Sequence, residues 1–192
     1  LTRIYNKHPN CVNTLPLSPS TKASLNSTIT NICNDIQDIL KTVRILKWAP
    51  SKLAEIVSSF GEVFSAHIFH AILARELASS PDDLEIIFVD ARRVIEVEES
   101  QNGDTTLQKI LYDNSKCKLD TILAESSPHS RKVLVITGYI ASTTSNIPTT
   151  LQRDGSDYSA TIFGKLLSST AVTIWTDVSG ILSCDPRLVK SA

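Results

Sequence analysis

The sequence predicts an α/β protein with a mainly parallel sheet lying between helices. Two observations carry this. Three short apolar runs, LEIIFVD (84–90), VLVIT (133–137) and AVTIWTDV (171–178), suit strands buried on both faces. Stretches of helical pattern separate them, as crossovers between parallel strands do. A chain of 192 residues can bury a sizeable core as one domain or as a large part of a bigger one.

The elements follow in order. Residues 1–19, with Pro9, Pro16 and Pro19, read as irregular. Ser18 or Ser20 caps a long helix from about Thr21 to Lys47, where Ile29, Ile32, Ile36, Ile39, Leu40, Val43 and Leu46 recur at three and four. Ala49-Pro50-Ser51 breaks it. KLAEIVSSF forms a second helix ending near Gly61, and a third runs from about Glu62 to Ala78. The strand 84–90 follows, then a loop at 100–106 and a weak helical stretch over about 107–125. After the strand 133–137, a long loop leads to a helix from about Asp157 to Leu167, and then to the strand 171–178.

Composition excludes some functions. With 42% hydrophobic residues, 20% charged residues and a formal net charge of −1, nothing electrostatic favours nucleic acid or an anionic membrane. No apolar run is expected to span a bilayer. The opening LTRIYNKHPN lacks the pattern of a secretory signal, so the chain is expected to be soluble and not secreted. It contains no Met and reads as an internal piece of a larger protein. Cys11, Cys33, Cys117 and Cys184 form no metal-binding spacing and read as reduced thiols.

Three clusters carry chemistry. In TTLQRDGSDYSA (149–160), Arg153, Gly155, Ser156 and Asp157 stand at a helix start beyond a strand, where α/β sheets bind ligands. Ser156 or Asp157 suits the cap, Gly155 permits close approach of a ligand, and Arg153 offers a planar fork to an anion. From spacing alone, an ordinary capped helix with a surface Arg is the slightly better reading. In IWTDVSGILSCDPRLV (174–189), Thr176 and Asp177 end a strand, and Arg187 follows an Asp-Pro turn. Alone, a plain turn explains it better. In SSFGEVFSA (58–66), Glu62 follows Gly61 at an expected helix start, where the dipole favours a carboxylate. Neither GxxxxGK[ST] nor GxGxxG is present. His67 and His70 read as packing residues, and Glu96-Val97-Glu98-Glu99 as a solvated face.

Together the three clusters resemble aspartate kinase. That family carries GE-x-x-SA, TTL-x-R-x-GSD and IWTDV-x-G-x-x-x-x-DPR in this order; here they stand as GEVFSA (61–66), TTLQRDGSD (149–157) and IWTDVSGILSCDPR (174–187). The form TTLQRDGSDYSA looks like the plant-type bifunctional aspartokinase–homoserine dehydrogenases. The resemblance covers residues 52–192, with 1–51 helical and weakly matched, so that 1–192 reads as a partial catalytic domain. It implies the amino-acid kinase fold, incomplete at the N-terminus. It implies transfer of the γ-phosphoryl group of ATP to the β-carboxylate of L-aspartate, with Mg2+. NADP enters only if the parent chain has a dehydrogenase half. The parent enzyme is then expected to be a homo-oligomer in the cytoplasm or a plastid.

The resemblance also assigns roles. Arg153 grips a substrate carboxylate and Glu62 meets the ammonium group, with Gly155 and Ser156 lining the same site. Asp157 orients the catalytic lysine. Thr176, Asp177 and Leu182 lie against the nucleotide, and Arg187 reaches toward its phosphates. The family's lysine-bearing K-[FY]-G-G-T segment has no counterpart in these residues, so this stretch alone is expected to be inactive. Ala141 stands where the family often has Gly, and Leu182 where it has an aromatic residue or Val. The alternative from another class is a non-catalytic, ligand-binding or regulatory relative of the same fold.

Overall fold

A computed structural model describes residues 2–80, 82–99, 109–152, 155–175, 180, 183–185 and 187–189. Helix α1 spans Thr2–Thr14, where the prolines had predicted irregular chain. Pro9 lies inside it and removes one backbone hydrogen bond. Packing outweighs that loss: Val12 is fully buried, and the His8 ring stacks on Phe64 at 4.4 Å. Helix α2 spans Pro19–Leu46. Ser18 caps it by accepting the Thr21 N–H at 3.1 Å, and Pro19 takes the first helical position, where its missing N–H costs nothing. Lys47 closes the helix in the left-handed region at φ 51°.

The expected break at Gly61 does not occur. Helix α3 runs unbroken over Ser51–Leu77. A glycine costs a helix interior about 1 kcal/mol, and the apolar face carries on past it through Val63, Phe64, Ala66 and Ala71, all buried. Over 26 residues α3 is also long and apolar enough to cross a membrane, at a mean hydropathy of 1.4, contrary to the sequence expectation. Part of its apolar surface is used inside the protein, with 33% of the most apolar window buried, while Phe69 is 57% exposed. Phe64 and Ala71 join Leu25, Ile29 and Ile36 of α2 in one cluster, and Val63 enters a second.

Strand β1 (Leu84–Val89) pairs in parallel with β3 (Arg131–Ile136), from Leu84 opposite Arg131 to Val89 opposite Ile136. Between them come a 3-10 turn at Ala91–Arg93, the short strand β2 (Glu96–Val97) and helix α4 (Tyr112–Ala124). The loop predicted at 100–106 lies outside the described residues. Strand alternation puts helices on both faces of the β1–β3 pair. Phe88 stacks on His67 of α3, while Ile87 and Val89 join Leu119 of α4. The mainly parallel α/β architecture with flanking helices is therefore present.

Two expectations beyond β3 are corrected. The predicted long loop contains β4 (Ile140–Thr143) and β5 (Pro148–Thr150) as an antiparallel hairpin, with β4 also parallel to β2. The composition IAST conceals it, because all four residues are buried and show no polar alternation. Residues 171–175 form no strand and have no ladder partner among the described residues. Their apolar side chains are exposed, with Trp175 at 92%, and apolar character alone does not make a strand without a partner. Residues 176–178 lie outside the described residues. Helix α5 spans Gly155–Leu166.

Candidate active site

The C-terminal end of β3 is where separate parts of the sequence meet. The backbone there is tied down. Thr137, 1% exposed, receives the Ala91 N–H on its Oγ1 at 2.8 Å and donates its own N–H to Val89 O at 3.1 Å. The ends of the parallel strands are thus fastened to each other. The chain then turns through Gly138 and Tyr139, which sits at φ 67°.

Gly138 is the meeting point. A Cβ built on it would lie 3.3 Å from Ser156 Oγ, 3.4 Å from Ser159 Oγ and 3.5 Å from Glu62 Oε2. One glycine therefore joins the middle of α3, the end of β3 and the first turns of α5. A Cβ here would press Ser156 of α5 by a few tenths of an ångström and would touch Glu62 of α3 at ordinary contact distance.

Glu62 is half-buried, and burial pushes its carboxyl above the ordinary value; a hydrogen bond from the Gly138 N–H pulls the other way. Because α3 passes straight through Gly61, Glu62 stands mid-helix and not at a helix start. The dipole explanation for this carboxylate accordingly fails. Glu62 also lines a groove of about 560 Å3 between α1, α3 and β3, with His8, Cys11, Ser65, Phe69 and Val135 among its walls. That volume suits a small ligand.

Helix α5 starts earlier than expected. Gly155 is already helical, so Ser156 and Asp157 are first-turn residues and not caps. Both are exposed, and the positive end of the helix dipole favours the Asp157 carboxylate there. Gly155 is buried: a Cβ on it would come within 2.7 Å of Tyr139 Cδ2 and 3.2 Å of Leu151 Cβ. Its smallness thus serves the packing of α5 on the Tyr139 turn, where the sequence suggested approach of a ligand.

Arg187 is exposed, and its guanidinium forks onto Asp185, with Nε 3.0 Å from Oδ1 and Nη2 2.7 Å from Oδ2. The pair holds the Asp185 carboxyl below its ordinary value and raises Arg187 above its own. Arg153, Thr176, Asp177 and Leu182 lie outside the described residues. Of the predicted site, the structure therefore gathers Glu62, Ser156 and the start of α5.

Sequence reasoning missed Ser159, whose Oγ accepts the Tyr139 N–H at 3.3 Å. It also missed Thr150, which donates to Glu55 of α3 at 3.4 Å. The motif TTLQRDGSDYSA contains both residues, but only the fold shows what they touch. Glu96 is corrected as well. It is 7% exposed, paired with Lys118, and accepts Asn114 Nδ2 at 2.9 Å. Those partners hold its carboxyl below the ordinary value against the opposing effect of burial. His67 and His70 do pack, both against Phe88. Among the described residues, no group of three or more His, Cys, Asp or Glu is placed to hold a metal ion.

Comparisons with known proteins bear on the family and the fold. Residues 7–192 match the amino acid kinase family. Chloroplastic bifunctional aspartokinase/homoserine dehydrogenase 2 of Arabidopsis thaliana is 35% identical over 170 residues, 88% of this chain and 17% of that protein. Chloroplastic bifunctional aspartokinase/homoserine dehydrogenase 1 of Zea mays is 32% identical over 195 residues, 100% of this chain and 20% of that protein. The chain thus spans a fifth or less of these relatives. Among solved structures, Escherichia coli aspartokinase III in complex with aspartate and ADP superposes with a TM-score of 0.58 at 25% identity, covering 98% of this chain and 43% of that one.

Proposed function

The chain belongs to the amino acid kinase family, and we propose that it is part of the catalytic domain of an aspartate kinase. The reaction is transfer of the γ-phosphoryl group of ATP to the β-carboxylate of L-aspartate, giving 4-phospho-L-aspartate and ADP. One observation carries the reading: Glu62, Gly138 and the first turn of α5 converge at the C-terminal end of β3.

The mechanism asks for little covalent chemistry from the protein. An aspartate β-carboxylate is ionised at neutral pH and needs no general base. One of its oxygens attacks the γ-phosphorus, the bond to the bridging oxygen breaks, and ADP leaves with the electron pair. The protein must place two anions in line and spread the developing charge. In this reading Arg153 grips a carboxylate of aspartate with its fork. Glu62 meets the ammonium group, and Ser156 and the backbone of Gly155 line the same site. A carboxylate that burial makes costly to ionise gains most from a cationic partner, which supports that role for Glu62.

Asp157 orients a lysine supplied from elsewhere in the protein. Thr176, Asp177, Leu182 and Arg187 serve the nucleotide, and Arg187 must leave Asp185 to do so. Magnesium, bound with the ATP phosphates, would neutralise part of their charge, and one or two protein carboxylates would suffice to hold it.

The wider reading follows the relatives. The reaction opens the route to lysine, threonine and methionine, in a soluble, homo-oligomeric enzyme of the cytoplasm or a plastid. Its parent chain carries an NADP-dependent homoserine dehydrogenase half if it shares the bifunctional architecture. Trapping the product as aspartyl hydroxamate tests the activity in the full-length protein. Hydroxamate formation that requires both aspartate and ATP is expected; none above the blank would overturn the proposal.

A further inference from the structure

We propose that Ser159 is a positioning residue for the Glu62 site, acting as a clamp that holds the Gly138–Tyr139 turn against α5. Ser159 is 3% exposed. Its hydroxyl has two partners in different segments. It donates to Ser156 O at 2.8 Å, within its own helix, and accepts the Tyr139 N–H at 3.3 Å from the turn after β3. A helical serine bonded only to the carbonyl three residues back would be an ordinary local contact. The second bond makes the difference, because it ties the helix to the peptide that follows Gly138.

The consequence for Glu62 is geometric. The Glu62 carboxylate lies against this turn, with Oε2 3.5 Å from where a Gly138 Cβ would be, and the backbone group that lowers its carboxyl against burial is the Gly138 amide. That amide belongs to the same turn, one residue before the amide that Ser159 holds. The Ser159 Oγ lies 3.4 Å from where a Gly138 Cβ would be, so the clamp and the donor are adjacent. Tyr139 itself sits at φ 67°, a conformation unfavourable for a residue with a side chain. A turn in that state needs outside restraint to keep one orientation: the Leu151 N–H holds the Tyr139 carbonyl at 2.7 Å, and Ser159 is the side chain that holds the Tyr139 N–H. Alanine would leave the Tyr139 N–H without this acceptor and free the turn to rotate its neighbouring amide away from Glu62. Ser159 touches no substrate in this account; it acts through Gly138.

The kinetic part of the test rests on the aspartate kinase reading, and the spectroscopic part does not. In the full-length protein, Ser159→Ala should raise KM for aspartate about five- to tenfold, the worth of one hydrogen bond. KM for ATP should stay within about twofold on the same scale, and Ser159→Thr, which keeps the hydroxyl, should restore KM for aspartate. Followed by NMR, the Glu62 carboxyl should titrate higher in Ser159→Ala than in the parent, and the Tyr139 amide should exchange faster. Unchanged Glu62 titration and Tyr139 exchange would overturn the proposal, as would equal losses for aspartate and ATP. Changes in both with unaltered aspartate kinetics would uphold the clamp and overturn the substrate assignment. If Ser159→Ala does not fold, the parent protein decides: a protected Tyr139 amide supports the clamp, and a rapidly exchanging one overturns it.

Discussion

Replacing Glu62 by Gln tests the substrate assignment most directly. The change keeps the shape of the side chain and leaves a carbonyl that can accept the Gly138 N–H. It removes only the charge. Because burial already disfavours the Glu62 anion, Glu62→Gln should cost the fold little, and a melt should place the variant near the parent. The cost should appear with substrate. A charge-assisted contact to an ammonium group is worth roughly 1.5–3 kcal/mol, so KM for aspartate should rise about 10- to 150-fold. KM for ATP should hardly move. The pH dependence gives a second reading. The folded carboxyl titrates above its ordinary value, so protonation of Glu62 is favoured by folding; its contribution to stability is present at low pH and is lost as pH rises through the raised value. Ammonium binding favours the anion and opposes this. KM for aspartate should therefore rise as pH falls through the raised value, and that limb should vanish in Glu62→Gln. Steady-state kinetics with each substrate varied in turn would show both effects. An unmoved KM for aspartate would make Glu62 a half-buried structural acid and refute the reasoning.

Other outcomes are expected. Arg153→Lys keeps the cation but loses the fork, and should lower kcat/KM for aspartate about 10- to 100-fold; calorimetry without aspartate should show ATP binding unchanged. Gly155→Ala should destabilise the protein by about 1–3 kcal/mol through overpacking against Tyr139 and Leu151, seen as a lower denaturation midpoint. Glu96 titrates low because of Lys118 and Asn114, so its contribution is present above the ordinary carboxylate pKa and is lost as pH falls through the depressed one. Glu96→Gln should flatten that acid limb below about pH 5 in a pH series of urea melts.

The sequence was most legible where a feature depends on neighbours in the chain. The period of α2, its Ser18 cap and the runs forming β1 and β3 are local, and they fold as their residues suggest. Three motifs also pointed to one place, and two of them meet there at Gly138. What could not be read depends on distant partners. Nothing near Glu96 in sequence announces Lys118 and Asn114, so its carboxylate looked solvated. Pro9 looked like a breaker because its compensation, the packing of α1 on α2 and α3, lies in other helices. Gly61 looked like a stop because a helix is usually judged by its own residues; here the surfaces on which α3 rests keep it going. Ser159 was invisible because a serine in a helix says nothing about the amide it holds.

The two hydrophobic clusters differ in reach, and this has a kinetic consequence. One is drawn from α1, α2 and α3, which follow one another directly in the chain. The other needs segments from α3 through to α5, including parallel strands whose pairing must close a long loop. Closure of distant segments costs entropy before any contact repays it, so local helical contacts form faster than parallel strands. Glu62 belongs to a helix of the early group, whereas Gly138 and Ser159 belong to the late one. The site is therefore expected to assemble late in folding, when the β3 turn closes on a helix that is already there. The same order reversed describes its loss: mild denaturant should abolish binding while α1, α2 and α3 still give a helical signal.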